Sequence, residues 1–136
     1  MQRIREGAGY TAVNLKEVED QAPSFGHAPN MEARYARGPL ALERSGMSYF
    51  RLAPGFRLPF GHHHDVQEEV YVVVTGTACA KIGGDIVELK AFDAVRVAPA
   101  AVRALEAGPN GAELIVFGAP RTDSSDATVL PDWWVD

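Results

Sequence analysis

The sequence predicts an all-β domain, an antiparallel sandwich or barrel, on three observations. From residue 40 onward, short runs of β-branched, aromatic and alternating residues are separated by turn residues at regular spacing. This region has no amphipathic helical period of useful length and no internal repeat. Strands this short avoid open edges by closing, fully or nearly, around one core.

A chain of 136 residues fits a single domain able to bury a core. Residues 1–39 are expected to be an N-terminal arm or edge segment packing on the barrel, residues 40–120 the barrel, and residues 121–136 a short C-terminal tail. In the arm, Asn14-Leu15-Lys16-Glu17 has the spacing of a capping box, which predicts a short helix through Asp20. Residues 21–30, with Pro23, Gly26 and Pro29, read as loop.

The β-type runs then follow in order: 40–44, 47–53 after Ser45-Gly46, and 56–64 after Pro54-Gly55. Next come 69–75, 77–82 after Gly76, 86–89 after Gly83-Gly84-Asp85, and 94–98, which ends at Pro99. The last two are 101–107 and 112–118, divided by Gly108-Pro109-Asn110-Gly111. The tail is acidic and turn-rich from residue 122 until Leu130-Pro131-Asp132-Trp133-Trp134. Its aromatic end is expected to dock on the barrel or on a second subunit, because the flanking Asp132 and Asp136 disfavour a membrane anchor.

A hydrophobic share of 46% and a charged share of 23% exclude a disordered or fibrous chain. The net charge is −5, and the thirteen basic residues are scattered rather than gathered in a stripe, which argues against nucleic acid or an anionic membrane as partner. A small molecule is the expected ligand. The single Cys79 allows no intramolecular disulfide and no paired-cysteine zinc site, as suits a reducing compartment. Residues 1–9 lack an apolar signal core, and no stretch approaches the ~18 apolar residues of a spanning helix. A cytoplasmic location is therefore expected.

The chemistry concentrates in Gly61-His62-His63-His64 and Gln67-Glu68-Glu69. Side chains two apart on a strand share a face, so His62 and His64 project together and His63 points away. On the next run Gln67, Glu69, Tyr71 and Val73 share one face and Glu68 takes the other, so one of the two adjacent glutamates can join the histidines. Two neutral imidazoles and a carboxylate suit a divalent iron, manganese, nickel, zinc or copper ion and leave positions for water or substrate.

Residues 55–76 resemble the first cupin motif, G-x5-H-x-H-x3,4-E-x6-G, with Gly55, His62, His64, Glu69 and Gly76 in its roles and one extra residue between Gly55 and His62. The second motif, G-x5-P-x-G-x2-H-x3-N, is met in outline by residues 91–103, where Ala98 stands at the Pro, Ala100 at the Gly and Arg103 at the His. The resemblance implies the cupin double-stranded β-helix, a jelly-roll barrel, and a homodimer. It selects Glu69 as the carboxylate ligand beside His62 and His64, and leaves the fourth ligand missing.

Arg103 cannot replace that ligand, since its guanidinium is permanently charged and has no lone pair. Aimed at a divalent cation from ~4 Å it opposes binding by about 4 kcal/mol per unit-charge pair at an effective dielectric near 20. Turned aside, it can orient Glu69 or hold a substrate carboxylate. Phe60, Gln67 and Tyr71 share parity with the ligands, and Leu105 shares it with Arg103, so these residues are candidate substrate contacts. Cys79 has no His or Arg near it in sequence and reads as a small buried hydrophobe rather than a nucleophile. His27, in a proline-flanked loop, is expected to face solvent.

Two functions stay open. One is a metal-dependent small-molecule enzyme of the oxygenase or isomerase class. The other is a non-catalytic module that binds a small ligand without essential metal, a reading that Arg103 favours. A structural or storage role is disfavoured by the short arms and the lack of a second barrel.

Overall fold

The computed structural model describes residues 4–122 and 125–136. The first three residues of the expected arm and Asp123-Ser124 of the expected turn-rich tail lie outside the described residues. A two-stranded hairpin, β1 (Arg5–Gly7) and β2 (Tyr10–Ala12), opens the chain and turns at Gly9, whose φ of 86° suits glycine.

The Asn14 cap forms, with its side chain accepting from the Lys16 N–H at 2.9 Å, but the helix is a single 3-10 turn, Leu15–Glu17. It stops short of Asp20 because the next residues serve the sheet: Val18 is buried in an extended conformation, and the Asp20 carboxylate accepts from the Ala22 and Ala33 N–H groups. The expected loop at 21–30 contains a second 3-10 turn, Pro23–Phe25, ended by left-handed Gly26.

The strand β3 (Met31–Tyr35) was not among the expected runs. Its Met31 and Ala33 are buried, while on the alternate face Glu32 pairs with its neighbour Arg34 and with Arg51 across the sheet. That ion network suits a polar-looking segment to an edge strand. Conversely, residues 40–44 are not a strand. Backbone bonds from Leu40 to Ala36 and from Leu42 to Arg37, with Ala41 at φ 57°, make this segment a turn.

The remaining strands are β4 (Gly46–Leu52), β5 (Phe60–His64), β6 (Glu68–Ile82), β7 (Asp85–Lys90), β8 (Ala94–Val97), β9 (Arg103–Ala119) and β10 (Ala127–Pro131). Two expected strand ends are bends within longer strands. β6 runs through Gly76, and β9 runs through Gly108-Pro109-Asn110-Gly111. The two strands form one antiparallel ribbon whose register shifts between Val73 and Ala78. A Cβ on Gly76, at φ 74°, would stand 2.0 Å from the Gly111 carbonyl oxygen, so close backbone approach dictates glycine at the bend.

The ribbon organises an eight-stranded antiparallel sheet. β9 pairs with β4 and β5, β6 pairs with β7 and β8, and the order β10-β5-β9-β4-β3 runs out from the ribbon. The sheet curls around a core that includes Leu52, Val73, Val97, Leu105 and Leu114, as the all-β expectation requires. Cys79 is half-buried rather than fully buried. Its two strand neighbours, Ala78 and Ala80, take the core side. Burial, and then Glu88 and Glu106, push its thiol pKa up, opposite to what a nucleophile needs.

Candidate metal centre

Period-two alternation on β5 turns His62 and His64 toward the cavity, their rings 5.1 Å apart and nearly perpendicular. Glu69 reaches the same point from β6, where it is paired with Val97 on one side and Gly118 on the other. One donor atom from each of the three residues lies within 4.8 Å of the other two, a spacing that can hold a metal ion. Glu68 pairs outward with Arg96 at 3.4 Å.

Glu69 Oε1 is the hub. It lies 3.2 Å from His62 Nε2 and accepts from the Tyr71 hydroxyl at 2.7 Å and from Arg103 Nη1 at 3.0 Å. Burial alone would raise the Glu69 pKa, but the neighbouring His62, His64 and Tyr71 outweigh burial and hold the carboxyl well below the usual range. Arg103 sits directly across the sheet from His62 and is 1% exposed. Its Nη2 donates to the Ala98 and Pro99 carbonyls at 2.6 and 3.3 Å. Of the two geometries open to it, Arg103 takes the one that orients Glu69.

Asp126, which sequence reasoning did not nominate, completes the cluster. Its carboxylate accepts from the Val66 and Gln67 N–H groups and lies 2.8 Å from His64 Nδ1. An ionised carboxylate only accepts, so Nδ1 carries a proton, and in the neutral imidazole the lone pair is then on Nε2. His64 is 8% exposed, and Nε2 has no hydrogen-bond partner among the described residues: Glu69 Oε1 is 3.4 Å away but off the bonding direction. Glu69 raises the His64 pKa more than burial lowers it, and Asp126 adds to the rise. Burial raises the Asp126 pKa, but His64 and the two backbone donors outweigh it and hold that carboxylate ionised.

The donor set therefore fits a divalent ion. A buried imidazole nitrogen is unpaired, its tautomer is set from behind by a carboxylate, and a second imidazole and an ionised carboxylate face it.

The cluster lies in the wall of a cavity of about 730 Å³. Phe60, Gln67, Tyr71, Leu105 and Arg103 all line it. Gln67 packs over Gly118, where a Cβ would come within 2.7 Å of its side chain. His27 does not face solvent freely: it is half-buried in the cavity wall, 5.9 Å from the Phe60 ring and 6.5 Å from Phe56. No local signal marked it, because the aromatic rings it meets are supplied by residues some thirty positions later in the chain.

The tail docks on the barrel. β10 pairs with β5 from Ala127 opposite His64 to Pro131 opposite Phe60. Trp133 covers Gly61, where a Cβ would be 2.7 Å from the indole, and lies under Lys81. Trp134 is 9% exposed, with the Arg57 guanidinium 4.5 Å from its ring centre.

Neither a scan against family models nor a search of curated proteins finds a match. Among solved structures the chain is similar to a cupin protein from Bacteroides fragilis, at 22% identity and a TM-score of 0.68, over 86% of this chain and 89% of that one. It is similar to KdgF from Halomonas sp. at 20% identity and a TM-score of 0.58, over 70% of this chain and 83% of that one. Oxalate decarboxylase from Bacillus subtilis matches at 18% identity and a TM-score of 0.69, over 84% of this chain and 30% of that one. At these identities the likeness is one of fold: the chain has the small cupin fold. Among the described residues no helix is long and apolar enough to cross a membrane.

Proposed function

We propose that this cupin-fold chain is a metal-dependent enzyme acting on a small organic molecule, with His62, His64 and Glu69 as the ligands of a divalent transition ion. The observation that carries the reading is His64, whose Nδ1 is committed to Asp126 while its buried Nε2 has no hydrogen bond among the described residues and faces the other two donors. Such an ion polarises a substrate oxygen or activates dioxygen, so isomerisation and oxygenation are the two reaction classes in view.

The chain's own residues do the rest. Tyr71 and Arg103 hold Glu69 in its ionised form and fixed rotamer. Phe60, Gln67 and Leu105 contact the substrate body from the cavity wall. With both terminal nitrogens engaged, Arg103 acts here as a positioning residue, and it meets a substrate anion only by releasing Glu69 or the two carbonyls.

Elemental analysis of untagged protein, before any metal is added, tests this directly. Near-stoichiometric metal that His62→Ala and Glu69→Ala both remove is the expected result. Metal content unchanged in both variants would exclude the assigned ligands.

A second reading, a binding module without essential metal, is favoured by the buried Arg103–Glu69 pair, which compensates the carboxylate charge by itself. Under that reading chelation leaves ligand affinity intact; under the first it does not. In either case we take residues 1–39 as an arm and edge segment on the barrel of residues 40–120, with residues 121–136 as a closing tail. We place the chain in the cytoplasm, on its lone thiol, as a homodimer formed through the β3 edge. Light scattering on the purified chain checks the last point, and a monomeric mass would remove it.

A further inference from the structure

The cavity carries two arginines that the metal centre does not use. Arg37 follows β3 and Arg121 follows β9, and both residues line the cavity together with His62, His64 and Glu69. Arg121 is fastened by its backbone N–H to the Arg44 carbonyl at 2.9 Å, and the Arg37 carbonyl accepts from the Leu42 N–H. Neither position is a loose surface arm.

Neither guanidinium has an acidic partner among the described residues. Arg37 Nε is buried and has no hydrogen-bond partner among the described residues. The two carboxylates that line the same cavity among the described residues are already committed, Glu69 to His62, Tyr71 and Arg103, and Asp126 to His64 and two backbone N–H groups. In a chain with eighteen acidic and thirteen basic residues, two cavity cations with no acidic partner among the described residues are out of keeping with the overall balance. They are also close enough to oppose each other: burial, and then Arg37, lower the Arg121 pKa. A shared anion would relieve that repulsion and supply the missing acceptor.

The rest of the wall is largely apolar, with Phe25, Met47, Phe50 and Phe60 among its residues. We propose that Arg37 and Arg121 form an anion-binding end of this cavity, and that its ligand is an organic anion with an apolar body, held by its charged group away from Arg103. This rests on the reading above that the cavity is the substrate site, and it names the class of substrate.

The test uses full-length, chelator-treated protein, so that a carboxylate cannot be captured by metal. Calorimetric titration compares naphthalene-2-carboxylate with the neutral naphthalene-2-carboxamide. The wild-type chain should bind the carboxylate about tenfold or more tightly than the amide, the span of a charge-assisted hydrogen bond. Arg37→Gln and Arg121→Gln should each reduce that preference while leaving amide affinity and melting temperature near wild type. His62→Ala should keep it.

No carboxylate binding, equal binding of the two probes, a preference that survives both arginine substitutions, or one lost in His62→Ala would each overturn the assignment. Metal content separates the two readings. A carboxylate preference in a chain that never holds metal removes the metal enzyme and keeps the anion end, whereas metal bound without that preference does the reverse.

Discussion

His64 donates from Nδ1 to the Asp126 carboxylate at 2.8 Å, a bond that joins residues 62 positions apart and ties the C-terminal tail to the candidate metal ligand. The same carboxylate caps the Val66 and Gln67 N–H groups, so the turn after β5 and the imidazole are set by one side chain. Removing that support should act on the metal centre more than on the fold. In Asp126→Asn, metal affinity is expected to fall roughly 10- to 100-fold, as for other outer-shell partners of ligating histidines. Competitive titration with a chelating dye measures it, and an unchanged affinity would show that Asp126 does not orient His64.

Arg103→Met leaves Glu69 buried without its cation. Breaking a buried pair on one side costs about 3–5 kcal/mol, and the 1% exposure of Arg103 puts this pair in that class. Adding the divalent ion should recover more stability in the variant than in the wild type, because the ion supplies the charge that Arg103 supplied. Urea titrations with and without metal decide it; equal recovery in the two chains would contradict the proposed ligands.

Glu113 gives the fold a pH dependence of its own. The Tyr49 hydroxyl at 2.5 Å, then Lys16 at 3.0 Å, with Thr75 further down the order, bring its pKa from an ordinary 4.5 down to about 2. The unfolded chain therefore binds this proton more readily than the folded one, so stability rises with pH. The contribution is complete above the unfolded value and drains away as pH falls from there toward about 2. Glu113→Gln should be destabilised at pH 7 and should lose less stability than wild type over that interval. Parallel stability curves for the two chains would sink the assignment.

Gly76→Ala tests the bend in the β6–β9 ribbon. A positive φ and a methyl group 2.0 Å from the Gly111 oxygen demand both a strained backbone and a shifted neighbour. The strain alone is on the order of 1–3 kcal/mol, and the clash adds to it. Thermal unfolding should show a fall of several degrees, while Gly84→Ala, where the same added Cβ meets open space, should not.

Trp134→Ala removes a side chain held between the barrel and Arg57. Emptying a buried aromatic site costs roughly 3–5 kcal/mol. If the tail is an element of the fold, the loss will appear in chemical denaturation with the mass in solution unchanged. A changed mass with unaltered stability would instead mean that the tail serves a subunit contact.

Much of the candidate site was legible in the sequence because strand alternation is local. Parity alone puts His62 and His64 on one face, sends His63 to the other, and lets only one of Glu68 and Glu69 join them; motif spacing then names Glu69 and brings Arg103 opposite. The strand β3 was hidden for a different reason. Its outward Glu32 and Arg34 look like loop until Arg51 arrives across the sheet to pair with them.

The sequence thus carried the all-β class and the shared face of His62 and His64 through the two-residue period of a strand, while the resemblance to the cupin motif singled out Glu69 over Glu68 as the third donor. Tertiary packing was needed to show that Gly76 and Gly108-Pro109-Asn110-Gly111 bend strands instead of ending them, that Asp126 rather than solvent meets His64, and that Arg37 and Arg121 line one cavity with no acidic partner among the described residues. Each of these depends on which strand pairs with which and in what register. Register is a property of the whole packed sheet, and no short stretch of chain encodes it.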